Sequence, residues 1–334
     1  MNTQRATRMA LPLIMLLAGV ALGCASSYLV LKPGTTTVTL FATTALYSTV
    51  TVTATAAVAE KQLVVVLERP EHYWGSVFDF NGDGVGDVLV EVNPWNLEKY
   101  SGVMKVVVDL GKRTIAAEFD VHDAAPAAWV NGYPEVIIGR KPWSNVSASG
   151  FGIEFPVKVS NMKPFVLSFY ICIEELHPSV AFNIAADAWI VRREVAANPG
   201  MPPGGGDLEV MVWLFSQNLQ PAGRKVGEEV IPLVVNGSRI SAVFEVWRHD
   251  SVEWGGWQYI AFKPKDWSVR CGYVAYDPTV FVKAAGKYAT LDISSHYLLG
   301  WEIGTEWGTI LSNGTAKFKW ILRDLAAIPS ATVS

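Results

Sequence analysis

The sequence predicts an all-β protein, a sandwich or barrel, with one α-helix. Three observations predict it. Short alternating or apolar runs recur from about residue 63 onward, separated by turn pairs such as Asn131-Gly132, Asn236-Gly237 and Asn313-Gly314. Glycine (28), proline (18) and aromatics (11%) favour turns and strands. Helical spacing of apolar residues stands out at one place only, after Asp277.

In chain order the expected strands are Asp87–Val92, Val103–Asp109, Thr114–Val121, Glu135–Gly139, Phe165–Glu174, Phe182–Val191 and Leu208–Phe215. Then follow Val230–Val235, Ile240–Trp247, Trp257–Phe262, Val269–Tyr276, Tyr297–Glu306 and Lys317–Leu322. Many short strands at regular spacing are the mark of a sandwich or barrel. The helix has Asp277 as N-cap and Pro278 at its first position, then Val280, Phe281, Ala284, Ala285 and Tyr288 on one face. Pro199–Gly206 reads as a mobile loop between two strands. No internal repeat is visible.

Of the 334 residues, 50% are hydrophobic and 17% charged, which excludes a disordered chain. Against 27 basic residues stand 31 acidic ones, a net charge of −4, and no basic excess points to nucleic acid. Mean hydropathy is +0.25. Part of that apolarity belongs to the first sixty residues. Arg5 and Arg8 precede an uncharged stretch, Met9–Leu31, so residues 1–31 read as a signal peptide or an uncleaved membrane anchor. Cys24 sits in a poor lipobox. Residues 32–60 are rich in Thr and read as an extended stalk, with a genuine strand as the alternative. Sequons at Asn145, Asn236 and Asn313 fit an exported chain but arise easily by chance. Residues 61–330 then form one domain outside the cytoplasm.

Three cysteines cannot build a disulfide scaffold. Cys172 and Cys271 lie in expected strands; a bond between them and a buried thiol at Cys172 are both open. The five histidines show no zinc spacing, and neither a G-x-S-x-G nor a P-loop is present.

The chemistry lies in carboxylates beside Trp. On a strand, Glu209, Met211 and Trp213 share one face, while Leu208, Val210, Val212 and Leu214 share the other. Asp187 and Trp189 share a face, as do Glu302, Gly304 and Glu306, with Gly304 leaving room for a ligand. Retaining sugar hydrolysis needs two carboxyls about 5–5.5 Å apart, one as nucleophile and one as acid/base. The competing reading is solvated edge carboxylates beside core indoles.

The segments resemble those of the family 12 glycoside hydrolases, which are secreted endo-β-1,4-glucanases. Glu209-Val-Met-Val-Trp213 resembles the family's nucleophile strand and Ile303-Gly-Thr-Glu-Trp307 its acid/base strand. Ala186-Asp-Ala-Trp189 is similar to the strand with the auxiliary acid. Val92-Asn-Pro-Trp-Asn96, the Gly132–Trp143 segment with its Lys-Pro-Trp end, Val246-Trp247 and Trp257–Phe262 resemble the cleft segments. They come in the family's order over residues 85–325. The resemblance implies a jelly-roll sandwich of two antiparallel sheets, a concave cleft and one helix. It also implies Glu209 as nucleophile, Glu306 as a protonated acid/base, and Asp187 hydrogen-bonded to the nucleophile. Met211 would pack beside Glu209, and Asn93, Trp95 and Trp143 would contact glucosyl units. A monomer acting on a β-glucan follows, with xyloglucan or mixed-linkage glucan as alternative substrates. A non-catalytic glycan-binding jelly roll is the reading from another class. Glu302 and Glu135 are extra acids, read as solvated bystanders or as groups that shift the pH optimum.

Asp79, Asn81, Asp83, Val85 and Asp87 have the spacing of a structural calcium loop, though position 12 holds Val90 and not Glu. A hairpin turn with solvated acids accounts for the same residues. No cofactor is needed for hydrolysis by two carboxyls.

Overall fold

The structure is a computed structural model that describes residues 38–39, 51–52, 64–68 and 75–330. It falls into two units, residues 1–61 and 62–334. In the first, β1 (Val38–Thr39) pairs antiparallel with β2 (Thr51–Val52). The remainder of the expected leader and stalk lies outside the described residues.

The second unit is almost wholly β. Its strands are β3 (Val64–Glu68), β4 (Ser76–Phe78), β5 (Val88–Glu91), β6 (Lys99–Asp109), β7 (Thr114–Ala125), β8 (Glu135–Gly139), β9 (Val157–Lys158), β10 (Phe165–Leu176) and β11 (Ala181–Val191). There follow β12 (Leu208–Gln217), β13 (Arg224–Val235), β14 (Ser238–His249), β15 (Gln258–Pro264) and β16 (Cys271–Tyr276). The last are β17 (Tyr297–Leu298), β18 (Gly300–Gly304), β19 (Trp307–Gly308) and β20 (Ala316–Pro329).

One layer runs β4–β5–β8–β18–β11–β12–β15–β14. The other runs β3–β6–β7–β20–β10–β16. Strand β13 joins them: it pairs with β14 along its length and with β16 at Val234 and Val235. This is the expected jelly-roll sandwich, with one departure. β12 and β15 pair in parallel: β13–β14 and β14–β15 are each antiparallel, so β13 starts in the same sense as β12 and the link between these two is a crossover, not a tight reversal.

The core lies between the layers. Ile184, Ala186, Ala188 and Ile190 of β11 and Val210 and Val212 of β12 meet Val106, Ile115, Leu167, Phe169 and Trp320 from the opposite layer. Their alternation follows the pleat. Alternate residues Ala185, Trp189, Met211 and Trp213 form a second apolar cluster on the outer face. All eleven residues of β11 are therefore buried, on both faces. Each large side chain withdrawn from water contributes about 1.5–3 kcal/mol.

The helix spans Pro278–Tyr288, and Asp277 caps it by accepting from the Thr279 amide at 2.9 Å. A second short helix, Arg193–Ala197, was not expected. It is five residues long, below the length at which apolar spacing is readable. The Pro199–Gly206 loop ends on a clamp: buried Asp207 accepts from the backbone amides of Arg192 and Gly204 and from the Arg192 guanidinium.

Cys172 and Cys271 face each other across β10 and β16 and are joined by a disulfide. Cys172 is half-buried rather than a core thiol. Among the described residues no helix is long and apolar enough to cross a membrane.

The Asp79–Asp87 loop is a hydrogen-bonded turn. Asp79 accepts from the amides of Gly82 and Gly84, and Asp87 from those of Phe80 and Asn81. The Asn81 amide group donates to Asp83 and Asp87, so its nitrogen is turned inward. Among the described residues no group of three or more His, Cys, Asp or Glu is arranged to hold a metal ion. Of the expected calcium set, Asp79, Asn81, Asp83, Val85 and Asp87, Asn81 Oδ1 accepts from the Asp83 amide, Asp83 from the Val85 amide, and Asp87 also from Ser149 Oγ.

Candidate active site

The outer face of the β4–β14 layer carries a cleft of ≈ 920 Å³. Asn93, Trp95, Trp143, Asp187, Glu209, Met211 and Glu306 all line it, as do Glu135 and Glu302. Residues up to 213 positions apart in sequence thus share one wall or floor, because β8, β18, β11, β12 and β15 lie side by side.

Glu209 sits on β12 opposite Trp189 of β11 and beside Tyr259 of β15. Its Oε2 accepts from Trp257 Nε1 at 2.6 Å. Burial pushes its carboxyl up to about 8, against that donated hydrogen bond and with the Glu306 charge adding to the rise. Met211 packs two residues on, its sulfur accepting from the Tyr259 hydroxyl at 3.4 Å.

Glu306 is not on a continuous strand. The expected strand Tyr297–Glu306 breaks at Leu299 and again after Gly304, and Glu306 falls in the gap before β19. Asn183 of β11 bridges the gap. Its Nδ2 donates to Glu306 Oε2 at 2.5 Å, and its Oδ1 accepts from the Glu306 amide at 2.8 Å. Burial raises the Glu306 carboxyl to about 7, opposed by the Asn183 amide. Each acid therefore has one neutral donor on it, and both stand above the ordinary carboxylate range. Interacting carboxyls titrate as a pair.

Asp187 is buried and directly opposite Glu302 across β11 and β18. The expected bond from Asp187 to the nucleophile is not what holds Glu209; Trp257 does that, and Asp187 Oδ1 accepts from the Ala188 amide at 2.7 Å. Burial, then the Glu209 charge, holds Asp187 well above its usual value. Its register partner is Met211, one step along from Glu209.

Glu135 and Glu302 are not solvated bystanders. They are 1% and 3% exposed. Glu135 Oε1 accepts from Asn93 Nδ2 and from Lys141 Nζ, each at 2.7 Å. Lys141 also pairs with buried Glu91. Burial alone would lower the Lys141 ammonium, but Glu135 and Glu91 more than offset it and keep it charged. Glu302 is raised well above the usual range by burial, then by Glu135 and Asp187. Gly304 makes room for the neighbouring strand, not for a ligand: a Cβ there would stand 2.4 Å from the Pro134 carbonyl oxygen.

Lys141 ties the two loops that bear the aromatic contacts. Asn93 (φ 42°) starts the Trp95 loop, and Trp143 (φ 62°) ends the Lys-Pro-Trp segment. Left-handed backbone at a Trp is costly and persists only when its surroundings hold it. Trp143 is held edge-on against Trp189 and Trp257, with ring centroids 5.1 and 5.9 Å away. Glu91, Lys141, Asn183 and Trp257 were not singled out from the sequence as site residues. Trp257 and Lys141 stand inside motifs already noted, but Glu91 and Asn183 carry no sequence signal of their own.

A groove that sets buried acids among indole faces is suited to a chain of sugars, and the comparisons place this protein among the glycoside hydrolases. The family model for glycosyl hydrolase family 12 matches residues 86–320, and the chain belongs to that family. Among solved structures, the endoglucanase cel12A from Rhodothermus marinus is 23% identical, covering 80% of this chain and 99% of its own, with a TM-score of 0.57. A metagenome-derived family 12 endoglucanase is 20% identical over 80% and 99%, with a TM-score of 0.59. A family 12 xyloglucanase from Bacillus licheniformis is 16% identical over 80% and 100%, with a TM-score of 0.60. These likenesses show the fold. A search of curated protein sequences gives no match.

Proposed function

We propose that the protein is a retaining endo-β-1,4-glucanase acting on cellulose-type chains. The observation that carries this reading is the projection of Glu209 and Glu306 into one Trp-lined cleft. Glu209 attacks the anomeric carbon while Glu306 protonates the leaving oxygen. Glu306, now ionised, takes a proton from water, which releases the sugar from its ester with Glu209. Trp257 holds Glu209 in the attacking orientation, and Asn183 does the same for Glu306. Asp187 is the auxiliary acid behind them.

A xyloglucanase reading rests on the Bacillus licheniformis neighbour, whose TM-score equals or exceeds those of the endoglucanases named above. A non-catalytic glycan-binding role leaves two half-buried, raised carboxyls in the cleft without a purpose. Export to the cell exterior is part of the same proposal, supported by Arg5, Arg8 and the uncharged stretch after them. The Cys172–Cys271 bond suits an oxidising compartment.

The test is a panel of cellulose, xyloglucan and mixed-linkage glucan with anomeric NMR of the first products. β-Products from β-linked substrate support retention. Glu209→Gln is expected to lose at least about 10³-fold in rate; a variant with full rate overturns the assignment.

A further inference from the structure

The structure places a second half-exposed tryptophan, Trp129, on the same wall as Trp95. Trp129 is 52% exposed and Trp95 50%, and both line the cleft. A large indole left open to water forgoes the gain of burial. Here that surface stands on rigid backbone, and the cause is Asn131.

Asn131 is fully buried and its side chain is saturated. Its Nδ2 donates to the carbonyls of Asn96 at 3.0 Å and Pro126 at 2.8 Å. Its Oδ1 accepts from the Thr309 amide and hydroxyl, at 3.1 and 2.8 Å. Its own amide donates to the Trp307 carbonyl, and its carbonyl accepts from the Asn96 amide. In return Asn96 Nδ2 donates to the Val130 carbonyl at 2.8 Å. One side chain thus fastens the Trp129 loop to the Trp95 loop and fastens both to the segment that follows Glu306.

We propose that Trp129 is a further glucosyl-stacking residue. With Trp95 it forms a two-indole platform at a fixed position relative to Glu306, and it binds a sugar unit beyond the one on Trp95. This rests on the glucanase reading above. The ligand chemistry is the apolar C–H face of a β-linked pyranose, which an indole covers while the equatorial hydroxyls stay wet. Because Asn131 sets the loops before substrate arrives, little ordering entropy is lost on binding. Trp143, Trp189 and Trp257 differ in kind: they pack edge-on against one another and Trp257 holds the nucleophile.

The experiment compares wild type, Trp129→Ala and Trp129→Phe on cello-oligosaccharides of increasing length, with kcat and KM measured separately. For Trp129→Ala the loss is expected to grow with chain length. It should appear as a rise in KM of about tenfold on the longest substrate, with kcat little changed. Trp129→Phe keeps a ring and should recover most of it. Quenching of Trp fluorescence by the longest oligosaccharide in a Glu209→Gln background gives a second readout, and should weaken in the double variant. A loss of equal size at every length, or no loss, overturns the role of Trp129 and leaves the glucanase reading intact. Failure of the wild type to cleave any β-1,4-glucan overturns both.

Discussion

Trp257 Nε1 donates to Glu209 Oε2 at 2.6 Å, and this bond rather than one from Asp187 orients the proposed nucleophile. A hydrogen bond to a buried carboxylate contributes about 1.5–3 kcal/mol. Trp257→Phe should therefore lower kcat/KM by roughly 10- to 100-fold. The Trp257 donor holds the Glu209 carboxyl down against burial, so its loss should move the acid limb of the rate profile upward. Rates across pH in the two proteins check both effects. An unmoved acid limb would mean that Trp257 acts only by packing.

The wild-type pH profile should be bell-shaped and displaced from the ordinary carboxylate range. Glu209 and Glu306 are both raised above 4.5, each chiefly by burial, and the Glu306 charge raises Glu209 further, so the two share one proton as a pair, and the productive form carries it on Glu306. The chemistry needs the pair singly protonated, so the active form is lost when both carboxyls are protonated and again when both are ionised. Both limbs of kcat/KM are expected above pH 5. An acid limb near pH 4 would show that the cleft is wetter than its geometry implies.

Stability should fall as pH rises from 5 to 8. Glu91 and Glu306 are raised to about 7 and Glu209 to about 8, from 4.5, with Glu302 raised as well. Between the two values each carboxyl holds its proton folded and releases it unfolded. The folded chain then binds more protons, and the slope of stability against pH is negative. The Tm should drop by several degrees between pH 5 and 8. Glu302→Gln cannot ionise and should make the drop shallower. A Tm that rises over this range contradicts the burial of the cluster.

Lys141→Met should be more damaging than its position before Pro142 and Trp143 suggests. Among the described residues, ion pairs to Glu91 and Glu135 come from Lys141. Leaving two buried carboxyls unpaired costs about 3–5 kcal/mol. Denaturant unfolding measures the loss. A second readout is KM, which should rise because Glu135 also holds Asn93 and Lys141 leads into Trp143.

Opening the Cys172–Cys271 bond should destabilise the fold by about 4 kcal/mol, since it closes a loop of 99 residues. Urea unfolding with and without reductant reads the difference. An identical midpoint would mean that the unfolded chain gains nothing from the release.

Much of the fold and the central acids was legible in the sequence. Period-2 alternation in Leu208–Leu214 set Glu209, Met211 and Trp213 on one face, and they are on the cleft face. Asp277-Pro278 marked the helix start. Such features are local: pleat, cap and turn are fixed by neighbours in the chain. The five-residue Arg193–Ala197 helix was below readable length, and the break before Glu306 is bridged by Asn183, 123 positions away.

What the sequence determined, then, was the all-β class and the strand faces that turn Glu209 and Asp187 to the cleft. The tertiary structure decided how each acid is charged and held. Glu135 and Glu302 read as solvated because a strand carries no record of what covers its outer face; pairing of β8, β18 and β11 buries them together. Whether a carboxyl is raised depends on desolvation and on neighbours brought from distant strands. Those are properties of the packed layers, and no window of sequence contains them.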